Sequence, residues 1–206
     1  MKRLCFLVIC MSIIMGCSTS TSSTKALVDY VDPNIGTAHC RWFFYTPAAI
    51  PFGMAKLAPS TDAHLGNPGG WQAVGYDFRH TSIEGFANFH EFQVGGVVFA
   101  PTVGELQTVP GELENPDGGY RSRFDKKDEV AAPGYYSVLL KDYGVKAELT
   151  AMKRVGFHRY TYPKTEQANL IFDIGNKQGE SGEVKDAEVQ YLSLIHISEP
   201  TRPRLI

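Results

Sequence analysis

The sequence predicts an all-β domain, an antiparallel β-sandwich, on three grounds. Short runs of branched and aromatic residues fill its second half, Gly, Pro, Asn and Asp punctuate them at turn positions, and no segment carries sustained helical periodicity with caps at both ends. Tyr135 to Leu140 is an aromatic and branched run, and Lys141-Asp142-Tyr143-Gly144 is a turn. Val145, Ala147, Leu149 and Ala151 then alternate with Lys146, Glu148 and Thr150, which predicts a hairpin with one buried face. Val155 to Tyr162 continues extended until Pro163, and Ala168 to Ile174 is a further apolar run closed by Gly175-Asn176. This spacing suits two stacked antiparallel sheets. The earlier half is looser, broken by Pro33, Pro47, Pro51, Pro59 and Pro68. Within it, Thr81 to Phe92 reads as strand plus loop, because Gly85 and the aromatic spacing disfavour a helix.

The ends of the chain carry different information. Lys2 and Arg3 precede an apolar run from Leu4 to Met15, the pattern of a secretory signal over residues 1–16. Ile14-Met15-Gly16-Cys17 resembles a bacterial lipoprotein cleavage box, with Cys17 lipidated and anchored to a membrane, periplasmic or at the cell surface. Ordinary cleavage with Cys17 as a spare thiol is the alternative. Residues 17–30 read as a flexible tether and 31–191 as the sandwich domain. Leu192 to Arg202 resembles the in-frame translation of a transposon adapter used in sequencing libraries, so residues 192–206 are expected to be a non-native tail. A genuine strand followed by a proline-bearing tail is the other reading. With Cys5 and Cys10 in the signal and Cys17 lipidated, Cys40 is the remaining thiol, and neither a disulfide nor a thiolate zinc site is expected.

Composition narrows the partners. Twenty basic and 22 acidic residues give a formal net charge of -2 with no long block of either sign, which argues against nucleic acid. Arg121, Arg123, Lys126 and Lys127 are answered by Asp125, Asp128 and Glu129, so this cluster reads as a solvated turn. Gly66 to Gly104 is different: Trp71, Tyr76, Asp77, His90 and Glu91 are interleaved with glycines, a pattern suited to the wall of a sugar site.

A set of ordered motifs runs through the body: VDPNIGT from Val31, PFGMAKLAPST from Pro51, GYDF from Gly75, IEGFANFH from Ile83, FAPTVG from Phe99, FDKKDEVAAPGYYSV from Phe124 and ELTAMKRVGFHRYTYP from Glu148. Together they resemble the amino-terminal domain of the family 92 glycoside hydrolases. That resemblance implies a secreted, calcium-dependent exo-α-mannosidase acting with inversion on mannose-containing glycans. It also implies a helical catalytic domain of the same chain beyond residue 206, supplying both catalytic carboxylates and most of the calcium site. No catalytic acid or base is therefore nominated among Asp62, Asp77, Glu84 and Glu91; Glu91 could bind calcium, but a lone carboxylate is more often a surface charge. Inversion needs an acid and a base ~6.5–9.5 Å apart on opposite ring faces, which a lone sandwich wall does not provide.

The expected substrate-binding residues are Trp71, His90, Asp77 and His39. Trp71 follows Gly69-Gly70 and can stack on a pyranose face, or plug a domain interface. His90 ends GFANFH, where the family pattern resembles GFSHTH and Asn88 replaces its first histidine. A neutral imidazole there can bond a sugar hydroxyl or cap backbone groups. His39 lies in the loop after IGT, and the following RWFFYTP is bulkier than the family's usual pattern, so the linkage accepted is expected to differ. A non-catalytic glycan-binding surface lipoprotein remains a second class, needing no carboxylate pair.

Overall fold

The computed structural model describes residues 25–38, 46–61, 75–88, 97–176 and 184–189. The chain divides into two compact units between Tyr30 and Val31. In the first, Leu27–Tyr30 forms a 3-10 turn, and the Asp29 carboxylate accepts the Ala26 N–H at 3.0 Å. The second unit is all-β among the described residues, with short 3-10 turns at Pro116–Gly118 and Lys126–Asp128. No helix of the described residues is long and apolar enough to cross a membrane.

Among the described residues, two four-stranded antiparallel sheets make up the sandwich. The first has the order β1 (Leu57–Ser60), β3 (Gly85–Asn88), β4 (Val98–Val103), β10 (Ala168–Asp173). The second has the order β6 (Val130–Ala132), β7 (Tyr135–Leu140), β8 (Val145–Ala151), β9 (Gly156–Thr161). A two-stranded ribbon, β2 (Ser82–Ile83) with β5 (Ser122–Arg123), stands beside them. The predicted hairpin is β7 and β8, joined through Gly144 at φ 63°, a left-handed position that suits glycine.

Register decides which side chains meet. Tyr136 opposes Leu149, Val138 opposes Ala147, and Leu140 opposes Val145, so all six share the inner face of the second sheet. Leu57 and Phe86 enter the same buried cluster from the first sheet. Burying each of these larger side chains contributes roughly 1.5–3 kcal/mol. On the outer face of the first sheet, Ala58, Ala87 and Val98 are covered by Tyr76.

Two expectations fail for physical reasons. Glu148 alternates with the buried residues of β8 yet is itself buried, because Arg159 from β9 and Tyr135 from β7 close over it. The predicted solvated turn is also partly interior: Arg121 is 2% exposed, and the Glu129 carboxyl side chain 3%.

Gly85 is required by a close approach of strands. A Cβ there would lie 2.4 Å from Val98 Cγ1 and 2.9 Å from the Phe99 carbonyl oxygen. Gly85→Ala is expected to cost about 1–3 kcal/mol by overpacking. Adding Val98→Ala should recover part of that loss in urea unfolding; additive losses would show that the methyl contact is not the cause.

Candidate functional site

Thr61, just past β1, is the point on which one loop neck is built. Its N–H donates to the Gly75 carbonyl at 2.5 Å, so the two ends of segment 62–74 are stapled side by side. Its hydroxyl accepts the Asp77 N–H at 2.9 Å, and its carbonyl accepts Arg121 Nη2 at 3.3 Å. His80 Nδ1 lies 3.0 Å from both Thr61 oxygens. The preceding motif joins the same neck, since the Phe78 N–H donates to the Thr37 carbonyl at 3.1 Å.

Asp77, the one expected substrate contact within the described residues, is buried. Its Oδ1 accepts the Arg79 backbone N–H at 2.8 Å and Nε at 2.9 Å, and its Oδ2 accepts Nη2 at 2.6 Å. This bidentate pairing raises the Arg79 guanidinium above its ordinary pKa. Burial pushes His80 down despite the Asp77 charge. Nearby, the Ser60 hydroxyl donates to the buried Glu84 carboxylate.

A second clamp holds the residue after the neck. The hydroxyls of Tyr76 and Tyr136 both donate to Glu129 Oε1 at 2.8 Å, and Lys126 Nζ donates to Oε2 at 2.8 Å. The ammonium also stands 4.4 Å and 4.5 Å from the ring centres of Phe78 and Phe124. Burial first, and then the Glu129 charge, push both phenols well above their ordinary value, so both remain donors.

At the other end of β1 lies a cleft of about 720 Å³, lined by Met54, Leu57, Asn88, Phe99, Arg154 and His158 among others. His158 Nδ1 and the Tyr160 hydroxyl are 2.8 Å apart, and burial lowers this imidazole to about 4. The antiparallel register, Ser60 with Gly85 and Leu57 with Asn88, sets the two ends apart. Segment 62–74 therefore leaves from the neck end, and segment 89–96 from the cleft end. Segment 39–45 connects them, from Thr37 at the neck to Ala48, whose N–H donates to the Leu57 carbonyl at 2.7 Å.

Trp71, His90, His39 and Cys17 lie outside the described residues, as do Asp62, Glu91 and residues 192–206. The structure thus locates the stubs that carry three expected sugar contacts. Sequence reasoning passed over Glu129, Lys126 and Arg121, whose charge alternation mimics a surface turn; two of the aromatics that enclose Lys126, Tyr76 and Phe78, come from distant positions. It also passed over Phe52, 98% exposed with φ 58°, an uncommon conformation for a bulky residue. Among the described residues, no three of His, Cys, Asp and Glu gather to hold a metal ion.

The model of the glycosyl hydrolase family 92 N-terminal domain matches residues 30–199. Among solved structures, a family GH92 α-mannosidase from Bacteroides thetaiotaomicron in complex with mannoimidazole is similar at 37% identity and TM-score 0.67, over 77% of this chain and 21% of that one. A second structure of that mannosidase gives 39% identity and TM-score 0.65, over 74% of this chain and 20% of that one. An inverting GH92 mannosidase from the same organism shares the fold at 22% identity and TM-score 0.53, over 72% of this chain and 20% of that one. The chain thus spans about a fifth of the length of these structures. No curated protein matches it.

Two outcomes follow from the clamps and the cleft. Glu129→Gln keeps an acceptor for the tyrosines but removes the charge facing Lys126, and is expected to cost about 1.5–3 kcal/mol in urea unfolding; an unchanged midpoint would exclude the clamp as a stabilising element. His158 is neutral in the fold down to about 4, whereas the unfolded chain takes its proton near 6.5. Stability is therefore full above 6.5 and falls as pH drops from 6.5 towards about 4. His158→Phe should flatten that slope, and an identical slope would remove His158 as its source.

Proposed function

Because the chain belongs to glycosyl hydrolase family 92, through the N-terminal domain of that family, we propose that it forms one wall of the sugar pocket of an inverting exo-α-mannosidase. The observation that carries this reading is the arrangement of loop stubs around β1, an edge strand of the first sheet. Segments 39–45, 62–74 and 89–96, bearing His39, Trp71 and His90, all leave from one end of that strand or the other. Trp71 offers an indole face to the apolar side of a pyranose, and the two histidines offer hydrogen bonds to its hydroxyls. Asp77 acts through Arg79 and the neck, holding the loop bases in place.

The catalytic acid and base come from polypeptide outside these 206 residues. Inverting hydrolysis needs two carboxyl groups free to serve opposite faces of one sugar, ~6.5–9.5 Å apart. Within the described residues, Asp77 is bonded to Arg79, Glu84 to Ser60, and Glu129 to Tyr76, Tyr136 and Lys126. Each such carboxylate is engaged inside its own domain. Calcium, on this reading, is likewise held by the rest of the polypeptide. The basic start and the Ile14-Met15-Gly16-Cys17 box support a lipid anchor at Cys17, with the enzyme periplasmic or at the cell surface.

The test is to express the complete reading frame of the source and assay mannose release from α-mannosides, with and without a chelator. Release by the full-length protein, lost on chelation, together with none from the 206-residue chain, is expected. No release from any α-linkage would overturn the activity, and release by the 206-residue chain would overturn the division of labour.

A further inference from the structure

The outer face of the second sheet carries an arrangement that neither the core nor the loop necks need. Register sets Tyr135, Thr150 and Phe157 in one row across β7, β8 and β9, so that a small residue stands between two aromatic ones. In the neighbouring row of the same face stand Ser137, Glu148 and Arg159. Phe157 is 47% exposed and belongs to neither buried cluster. A hollow of about 400 Å³ opens over the two rows, lined by Tyr135, Glu148, Thr150, Phe157 and Arg159 among others.

The polar groups of the hollow are held in place by one another. Arg159 Nε and Nη2 donate to the two Glu148 oxygens, each at 2.8 Å, and the Tyr135 hydroxyl donates to Glu148 Oε1 at 2.7 Å. The Arg159 side chain is nevertheless 73% exposed, and no described residue accepts a hydrogen bond from its Nη1. The Thr150 hydroxyl donates to the Gly134 carbonyl at 2.7 Å and keeps its lone pairs as acceptors. Fixed donors, a hydroxyl acceptor and two flanking aromatics match a pyranose, whose C–H face packs on a ring while its hydroxyls donate and accept. Tyr135 and Phe157 are two strand spacings apart, about 10 Å, which leaves room for one sugar ring above Thr150. An anion fits less well, because the Glu148 carboxylate already faces the guanidinium. A purely apolar partner would leave the guanidinium fork unpaired.

We propose that this outer face is a glycan-binding site, which takes one pyranose of a neutral polysaccharide between Tyr135 and Phe157, with Arg159 Nη1 donating to its hydroxyls. Glu148 is engaged by Arg159, Tyr135 and Lys146, so the site binds sugar without cleaving it. Its side chains are ordered before the ligand arrives, which lowers the entropy lost on binding. The site is built on β7, β8 and β9 and uses none of His39, Trp71 and His90. The inference therefore does not rest on the mannosidase reading.

Affinity electrophoresis of the full-length protein through gels containing soluble α-mannan, β-glucan or xylan tests it. Retardation by at least one of the three is expected. Phe157→Ser removes one wall and Thr150→Tyr fills the floor, and each should weaken that binding about tenfold or more. Arg159→Lys, which keeps the charge and loses the fork, should weaken it too, whereas Phe157→Trp and Trp71→Ala should retain it. No retardation by any of the three polysaccharides would overturn the proposal. So would retardation that Phe157→Ser and Thr150→Tyr leave unchanged, or retardation by polygalacturonate alone, where attraction to Arg159 and Lys146 suffices. If Phe157→Ser unfolds the protein, Thr150→Tyr against Phe157→Trp decides: equal binding by the two would overturn it.

Discussion

A carboxylate with almost no access to water, that of Glu129, ties the layers of this domain together. Tyr76 packs on the outer face of the first sheet and Tyr136 on the inner face of the second, yet both hydroxyls reach the same oxygen. Burying a charge is tolerable when hydrogen bonds and a counter-ion surround it, and Lys126 completes the set. The ammonium is in turn enclosed by aromatic rings, one from Phe78 in the turn that carries the loop neck. Removing Glu129 takes the acceptor from the Tyr136 hydroxyl, and removing Lys126 takes the donor from Glu129 Oε2. The geometry of the neck at Thr61 and Gly75 is therefore coupled to the packing of the sheets.

That coupling fixes the points from which segments 39–45 and 62–74 leave the sandwich. Segment 62–74 begins and ends at one hydrogen-bonded pair, and the segment following Thr37 starts from the same turn. Most of the polar groups near these stubs are engaged in holding backbone, as with Thr61, Asp77 and Arg121. A domain built this way is suited to position contacts more than to supply a reactive group.

The legibility of the sequence followed the range of the forces involved. The β7 to β8 hairpin could be read from alternation and a turn ending in Gly144, because strand period and turn chemistry are local. β9 and β10 were recognisable for the same reason. Glu148 was not, since its burial depends on Arg159 and Tyr135 from the strands on either side. Arg121, Lys126 and Glu129 looked solvated because neighbouring charges in the chain appeared to answer one another. In the fold their partners include Thr61 and Tyr76, which stand far away in sequence. Asp77 was singled out for its setting among glycines and aromatics, but its carboxylate is turned to Arg79, two residues on.

By itself the sequence determined the fold class and the family resemblance. These rest on local periodicity and on ordered motifs, which need no knowledge of distant contacts. Only the tertiary structure decided which charges are buried, which loops share a base, and which side chains line the hollow on the second sheet. Burial is a property of the whole chain: a residue loses water only when segments remote in sequence arrive around it, and short-range patterns carry no record of that arrival.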